Sequence, residues 1–203
     1  MIPLQKAKSI IQKHIFILET ESVSLSDAGN RVLAEDIIAT FPSPQFDNSA
    51  MDGFAVRSAD TEGASSDNPI TLKVVSISSA GSPSDVDLQS GECSQCMTGA
   101  KIPVGADAII MVEDSSGFSD SDSVQVMIEA SAGKHIRRMG EEIAEDELLI
   151  QKGTRITPGE IGTCATFGYG KLSVAKKPKI AIFGTGDELI EPGNELKPGE
   201  IYN

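Results

Sequence analysis

The chain has 203 residues, of which 39% are hydrophobic, enough to form a core without disulfide support. Thirty acidic residues against 17 basic ones give a formal net charge of -13, which repels nucleic-acid backbones and anionic lipid surfaces. No apolar run reaches the ~20 residues that span a bilayer, and the first residues lack the pattern of a secretion signal. The composition therefore predicts a cytoplasmic protein that binds neither nucleic acid nor membrane.

The first elements predicted are a helix and a short strand. Apolar residues recur at helical spacing from Leu4 to Leu18 behind Pro3, which suits a first helical turn. A strand is expected at 23–25, followed by a brief helix that Ser26 caps and that runs through Leu33. We therefore expect an amphipathic helix to open the chain.

The middle of the chain has the pattern of a β subdomain. Prolines and an Asp-Asn-Ser run after Phe41 break helical periodicity. Apolar or alternating stretches then occur at 70–77, 108–112 and 123–128, separated by glycine-rich turns. These stretches predict short strands.

Helical signals return near the end of the chain. Thr157 can cap a helix, Pro158 suits its first position, Glu160 lies three residues after the cap, and Gly168 ends it. The run KIAIF at 179–183 predicts a buried strand that leads into a glycine turn, as at the start of an α/β domain. Too few residues follow for a βαβ unit, so we expect a piece of a longer protein.

Together these elements predict a mixed α+β fold with a β-rich N-terminal region over 1–177. Within it, residues 1–45 and 135–177 are expected to form one discontinuous domain of helices and strands. Residues 46–134 would be an inserted β subdomain, because insertions are tolerated where chain ends lie close together. Residues 178–203 would begin the α/β domain.

Three cysteines in a chain without an export signal make a disulfide framework improbable. Cys93 and Cys96 have CxxC spacing, but no second CxxC or histidine pair accompanies them. In a strand, residues three apart point to opposite faces. Structural thiols are thus favoured over metal or redox chemistry.

Four segments carry residues suited to chemistry. Residues 46–56 read FDNSAMDGFAV, and their carboxylates could hold Mg²⁺ or bond nearby backbone N–H groups in a turn. Residues 97–103 read MTGAKIP, where a hydroxyl and a glycine backbone could contact an oxyanion or form an ordinary turn. Residues 137–142 read RRMGEE, which could bind phosphate or form mutual ion pairs. Residues 184–188 read GTGDE at the expected strand's carboxyl end, without the complete pattern of a dinucleotide fingerprint or a P-loop.

In this order, and with the closing IYN at 201–203, the segments resemble the signatures of the molybdopterin molybdenumtransferases, the family that includes the gephyrin E domain. The resemblance covers nearly the whole chain and about the first half of a family member. It implies a homodimer whose active site is shared between subunits. It also implies insertion of molybdenum from molybdate into adenylylated molybdopterin, with release of AMP and assistance from Mg²⁺.

The resemblance also implies roles for individual residues. Three match the catalytic groups of the family's motifs: Asp52, Thr98 and Glu188. Of these, Asp52 and Glu188 are expected to hold the metal. Three more are predicted to bind the cofactor: Arg137, Glu142 and Asp187. Many relatives have an aspartate where this chain has Glu142, so the geometry at that position is expected to differ.

Two other functions stay open at this stage. The fold could serve as a scaffold or interaction module, as in the gephyrin branch, although such a role does not require a metal site. A plain anion-binding β domain would instead bind phosphate without dependence on a metal. Alone, a chain without the pterin pocket is expected to be inactive.

Overall fold

The computed structural model describes residues 2–119 and 121–203. In these residues it has the following regular elements: α1 Leu4–His14, β1 Thr20–Ser24, β2 Ile37–Ile38, β3 Asn48–Ser49, β4 Gly53–Val56, β5 Ile70–Ser78, β6 Glu92–Cys96, β7 Ala108–Met111, β8 Ser123–Val126, β9 Ile136–Arg137, β10 Leu148–Ile150, α2 Pro158–Thr166, β11 Lys171–Ala175, β12 Leu189–Ile190 and β13 Ile201–Tyr202. Short 3₁₀ turns occupy Leu25–Asp27, Ser58–Thr61 and Val112–Asp114. The predicted mixed α+β class is confirmed. None of the helices in the described residues is long and apolar enough to cross a membrane.

The chain divides into two compact units, each discontinuous in sequence. One comprises the chain up to Glu35 together with Lys152–Ile161 and Gly170–Asn203. The other comprises Asp36–Gln151 and Gly162–Tyr169. The first is called the terminal unit below, and the second the central unit. The division expected from the sequence assigns residues 36–45, 135–151, 162–169 and 178–203 differently, and it stays a prediction.

In the terminal unit, β1 pairs with β11 in antiparallel register, with Val23 opposite Leu172. Leu172 of β11 is buried, as are Leu33, which is bridged to Val174 of the same strand, and Ile156. The backbone N–H of Leu33 donates to the Thr154 carbonyl at 2.9 Å, so the segment after β1 is held in extended form. The predicted helix from Ser26 to Leu33 is wrong because these long-range bonds replace helical ones beyond the turn Leu25–Asp27.

Helix α1 is shorter than its apolar pattern predicts. It ends at His14, and Ile15 is already extended with φ -71° and ψ 133°. None of the residues of α1, all of which are described, is buried. Because α1 buries no face, packing against the rest of the protein does not stabilise an extension of the helix to Leu18.

The predicted strand at 179–183 is not found. Residues 179–183 have no regular structure, and Ile180, Ile182 and Phe183 are exposed. A strand needs a neighbour for its backbone hydrogen bonds, and no described strand pairs with this run. The following residues instead form the parallel pair of β12 and β13.

The core of the central unit is a five-stranded sheet in the order β7-β4-β6-β5-β8. Strand β4 is antiparallel to both of its neighbours, while β5 and β6 are parallel. Side chains alternate between two apolar clusters: Phe54 and Val56 belong to one, and Ala55 to the other. The predicted strands at 70–77, 108–112 and 123–128 are confirmed to within two residues at their ends.

Helix α2 follows the prediction closely. The Glu160 carboxylate accepts the backbone N–H of Thr157 at 2.8 Å and also bonds the Thr157 hydroxyl, which is the reciprocal arrangement of a capping box. The helix ends at Thr166, and Gly168 adopts φ +80°, a conformation that favours glycine. Local sequence signals therefore define both ends of α2.

Candidate functional site

The turn before β4 depends on a glycine. Gly53 lies opposite Met111 in the sheet, and a Cβ on Gly53 would lie 1.9 Å from the Ile110 carbonyl oxygen. No side chain fits there without moving the backbone of β7. Because Gly53 allows the two strands to approach, the preceding residue, Asp52, is fixed at the edge of the sheet, where its carbonyl accepts the Val112 N–H at 3.0 Å.

Asp52 and Thr98, predicted from two separate segments, are in direct contact. The Asp52 Oδ1 atom accepts the Thr98 backbone N–H at 2.6 Å and the Thr98 hydroxyl at 2.7 Å. Both residues are exposed. The structure therefore brings together two of the three predicted catalytic residues.

Both bonds to Asp52 favour its charged form. The Thr98 backbone N–H, followed by the Thr98 hydroxyl, holds the pKa of Asp52 below its ordinary value of 3.8. No hydrogen bond from residues 2–119 or 121–203 reaches the other oxygen, Oδ2. Asp52 is thus an ionised carboxylate with one oxygen fixed and the other open to a ligand.

The loop that carries Thr98 is fixed by backbone bonds to β3. The Gly99 N–H donates to the Ser49 carbonyl at 2.8 Å, and the Ser49 N–H donates to the Ala100 carbonyl at 3.0 Å. Gly99 has φ +79°, so the turn itself favours glycine. These contacts hold the segment at 97–103 against the segment at 46–56, although the two are far apart in sequence.

The first carboxylate of the 46–56 segment has a structural partner. Asp47 accepts the Met139 backbone N–H at 2.8 Å and the Arg138 guanidinium at 2.6 Å. The bond from Met139, with help from Arg138, lowers the pKa of Asp47 against the opposing effect of burial. Arg138 therefore pairs with Asp47, rather than only with the acids that follow it in sequence.

Arg137 lies in β9, opposite Asn48 in β3. Asn48 is also bridged to Lys101 on its other side. Asn48 is only 7% exposed, and its carboxamide oxygen is buried without a hydrogen-bond partner in the described residues. Asn48 and Lys101 were not predicted as site residues, because their proximity to Arg137 depends on the register of strands far apart in sequence.

Glu142 is placed by contacts with Ser43. The Glu142 N–H donates to the Ser43 carbonyl at 3.0 Å, and the Ser43 hydroxyl donates to the Glu142 carboxylate at 3.1 Å. Glu142 therefore belongs to the central unit, as do Asp52, Thr98 and Arg137.

Asp187 and Glu188 belong to the terminal unit and lie immediately before β12. Both are exposed, and the Glu188 carbonyl accepts the Ile201 N–H at 2.8 Å. The Glu188 carboxylate folds over Gly186, where an added Cβ would collide with it. The third predicted catalytic residue is therefore on a different unit from Asp52 and Thr98.

The two cysteines of the CxxC segment are separated by the sheet. Cys93 packs in the cluster of Phe54, and Cys96 in that of Ala55, which confirms the prediction of opposite faces. Burial raises the pKa of Cys93 to about 12 and that of Cys96 to about 11. Both thiols are therefore protonated at neutral pH, unlike metal-binding or redox-active thiolates.

The geometry fits a hydrated cation held by few protein groups rather than an enclosed metal centre. Among residues 2–119 and 121–203, no group of three or more His, Cys, Asp or Glu side chains is placed to hold a metal. Mg²⁺ differs from zinc in this respect, since it commonly binds one or two carboxylates and keeps waters and substrate phosphates as its other ligands. The open Asp52 Oδ2 atom suits this role.

Residues 2–168 match the family described as "MoeA N-terminal region (domain I and II)". The chain belongs to this family. A protein named molybdopterin molybdenumtransferase from Bacillus subtilis (strain 168) is 41% identical over 187 residues, covering 91% of this chain and 44% of that protein. The protein of the same name from Staphylococcus aureus (strain MRSA252) is 39% identical over 202 residues, covering 100% of this chain and 48% of its own length.

Solved structures show the same relationship. A crystal structure of the molybdopterin biosynthesis moeA protein from Pyrococcus horikoshii OT3 matches with a TM-score of 0.88 at 36% identity, over 100% of this chain and 54% of that one. A second structure, of the molybdopterin biosynthesis moea protein from Pyrococcus horikosii, matches with a TM-score of 0.85 at 35% identity, over 100% and 51% of the two chains. The chain thus spans about half the length of the curated relatives it matches.

Proposed function

We propose that this chain, as part of a full-length protein, acts in molybdenum cofactor biosynthesis. The full-length protein inserts molybdenum from molybdate into adenylylated molybdopterin and releases AMP. The observation that carries the proposal is the bond of Asp52 to both donors of Thr98, which leaves an ionised carboxylate open on one side. Relatives named molybdopterin molybdenumtransferase support the choice of reaction.

In this proposal Asp52 holds Mg²⁺ and does not exchange protons. Its low pKa keeps it charged at neutral pH, which suits a metal ligand better than a general acid. When bound, Mg²⁺ would supply Lewis-acid stabilisation of phosphate charge. Thr98 orients the Asp52 carboxylate, and Glu188 is the second proposed metal ligand.

The remaining proposed residues bind the substrate. Arg137 offers a guanidinium to its phosphate groups, and Glu142 and Asp187 complete the predicted cofactor-binding set. The full-length protein would be a cytoplasmic homodimer, with Asp52 and Thr98 of one subunit acting with Glu188 of the other.

A scaffold role is the second candidate, since the family's fold also serves assembly in the gephyrin branch. The Asp52–Thr98 contact disfavours it, because assembly does not require an ionised carboxylate oriented at an exposed edge. A metal-independent anion-binding domain is the third.

One experiment separates the three functions. The full-length protein is titrated with adenylylated molybdopterin, molybdate and Mg²⁺, while molybdenum insertion and AMP release are measured. The transferase should release AMP with both molybdate and Mg²⁺ present. Binding of phosphate with no metal dependence and no AMP release would indicate the anion-binding domain, and neither binding nor turnover would indicate the scaffold.

A further inference from the structure

The outer face of β3 places one amide side chain between two cationic ones, those of Asn48, Arg137 and Lys101. Asn48 lies opposite Arg137 on one side and opposite Lys101 on the other. Directly opposite residues of antiparallel strands project their side chains to the same face. The neighbouring pair, Ser49 and Ile136, takes the other face, where Ile136 packs against the sheet. Asn48 is therefore flanked by two cationic residues on the face away from the sheet.

The carboxamide oxygen of Asn48 has no hydrogen-bond partner among the residues that the structure describes. The residue is 7% exposed, and its buried oxygen accepts no hydrogen bond from residues 2–119 or 121–203. Buried polar groups in folded proteins nearly always have such a partner. Because the oxygen and nitrogen of an amide can exchange places by a flip, the group can equally present its N–H donors to an acceptor.

Lys101 and Arg137 are also available to a ligand. Neither forms a salt bridge with a residue in the described part of the chain, whereas the adjacent Arg138 is bonded to Asp47 at 2.6 Å. The acidic groups on neighbouring segments are engaged elsewhere, Asp47 by Arg138 and Glu142 by Ser43. Unpaired cations on one strand face are notable in a chain of net charge -13.

Asn48 also lines a cavity of about 370 Å³. Its other walls include Phe41, Pro44, Phe46 and Thr166. The volume lies within the ~300–1,000 Å³ range of small-molecule sites, and the aromatic and proline walls suit an organic group. Neither Lys101 nor Arg137 lines this cavity, so it offers space beside Asn48 for the rest of a ligand whose anionic group lies at the two cations.

We propose that Asn48, Lys101 and Arg137 form a binding site for a tetrahedral oxyanion of the phosphate class. The two cations supply charge, and the carboxamide supplies a directed hydrogen bond. This inference rests on the proposed function in one respect, since it deepens the cofactor-binding role of Arg137 by adding two residues and naming the group they bind.

The test is calorimetric titration of the 203-residue chain with inorganic phosphate at constant ionic strength. Arg137→Gln and Lys101→Gln should each weaken phosphate binding roughly tenfold or more, because each removes a charge-assisted contact. Lys73→Gln is the matched control, since Lys73 is an exposed lysine of the same unit on β5. It removes one positive charge and should leave the affinity unchanged. Equal weakening in all three variants would mean non-specific attraction and would overturn the site.

Asn48→Leu provides an independent test. It should abolish phosphate binding without lowering the thermal midpoint measured in the absence of phosphate, because the buried Asn48 oxygen accepts no hydrogen bond from the described residues. A lower midpoint together with unchanged phosphate affinity would show that Asn48 is structural and would refute the proposal.

Molybdate, titrated in the same way, identifies which tetrahedral anion is preferred. A failure here is distinguishable from failure of the transferase proposal, which is decided by AMP release from the full-length protein.

Discussion

Asp52 and Thr98 act as a single group although 46 positions separate them in sequence. Thr98 supplies both a backbone and a side-chain donor to the same carboxylate oxygen. Such bonds stabilise the charged form and restrict the rotation of the side chain. The carboxylate is therefore both ionised and oriented before any ligand arrives.

The first prediction concerns the titration of Asp52. Thr98→Val removes the hydroxyl donor but keeps the backbone donor, so the pKa of Asp52 should rise part of the way towards 3.8. Because folding lowers this pKa, the associated stabilisation is present above pH 3.8 and is lost as the pH falls through the folded-state pKa. Carboxyl NMR of the 203-residue chain measures the pKa of Asp52 in the parent and in the Thr98→Val variant. Thr71→Val, at an exposed position in β5, should change nothing. An Asp52 midpoint of 3.8 in the parent chain would contradict the prediction.

The second prediction concerns catalysis in the full-length protein. Asp52→Ala should reduce molybdenum insertion by about one hundredfold or more while pterin affinity largely survives, because a metal-assisted interaction in the transition state is lost. Rates and pterin binding are measured together with the thermal midpoint, since Asp52 also has a place in its turn.

Asp67→Ala, which removes an exposed carboxylate from the same unit, is the control and should retain the parental rate. If a folded Asp52→Ala protein inserted molybdenum at nearly the parental rate, Asp52 would be only a turn residue.

At the residue scale, the sequence identified individual polar residues better than it identified the residues they contact. Asp52 and Thr98 were named from separate segments, and the structure joins them. The partner of Arg138 is Asp47, and the neighbours of Arg137 are Asn48 and Lys101. These pairings follow from strand register between distant segments, which no local pattern specifies.

At the element scale, Gly53 determines how closely β4 approaches β7. A methyl group at this position would lie 1.9 Å from the Ile110 carbonyl oxygen, which belongs to the backbone of a paired strand and cannot turn aside as a side chain could. Relief requires the two strands to separate, which disturbs the cluster around Phe54.

Gly53→Ala should therefore destabilise the 203-residue chain by about 3 kcal/mol, the upper part of the range for overpacking. Urea unfolding followed by circular dichroism measures the change. Gly162→Ala in α2, where an added Cβ meets nothing within 4 Å, is the matched control. It should stabilise the chain by up to about 1 kcal/mol through helix propensity. Equal effects of the two substitutions would show that the approach of β4 and β7 is not tight.

Elements were predictable where local signals determine them. The capping box and Gly168 define α2, and alternation defines the strands of the central sheet. The helix expected from Ser26 to Leu33 and the strand expected at 179–183 failed for tertiary reasons. In the first case backbone bonds to Thr154 are preferred, and in the second no described strand pairs with the run.

At the scale of the whole molecule, the proposed dimer makes a specific prediction. Full-length Asp52→Ala and Glu188→Ala proteins are each expected to retain about a hundredth of the parental activity or less. If one subunit provides Asp52 and the other Glu188, random mixing should restore about a quarter of parental molybdenum insertion, since half of the dimers are mixed and each has one intact site.

The control mixes Asp52→Ala with a Thr98→Ala protein. Both substitutions affect the same half of the site, so every site in a mixed dimer retains one defect and activity should not return. Failure of the Asp52→Ala and Glu188→Ala mixture to recover, despite verified subunit exchange, would place both residues of a site on one subunit.

Each unit is built from segments that are separate in sequence, which limits how the chain can be divided by truncation. The backbone passes from one unit to the other after residues 35, 151, 161 and 169. A single truncation at any of these points removes part of at least one unit, and no uninterrupted stretch contains one whole unit without part of the other. Contacts within each unit also join residues far apart in sequence, which slows folding relative to a chain of local contacts. Independent expression of either unit would therefore require its segments to be rejoined by designed linkers.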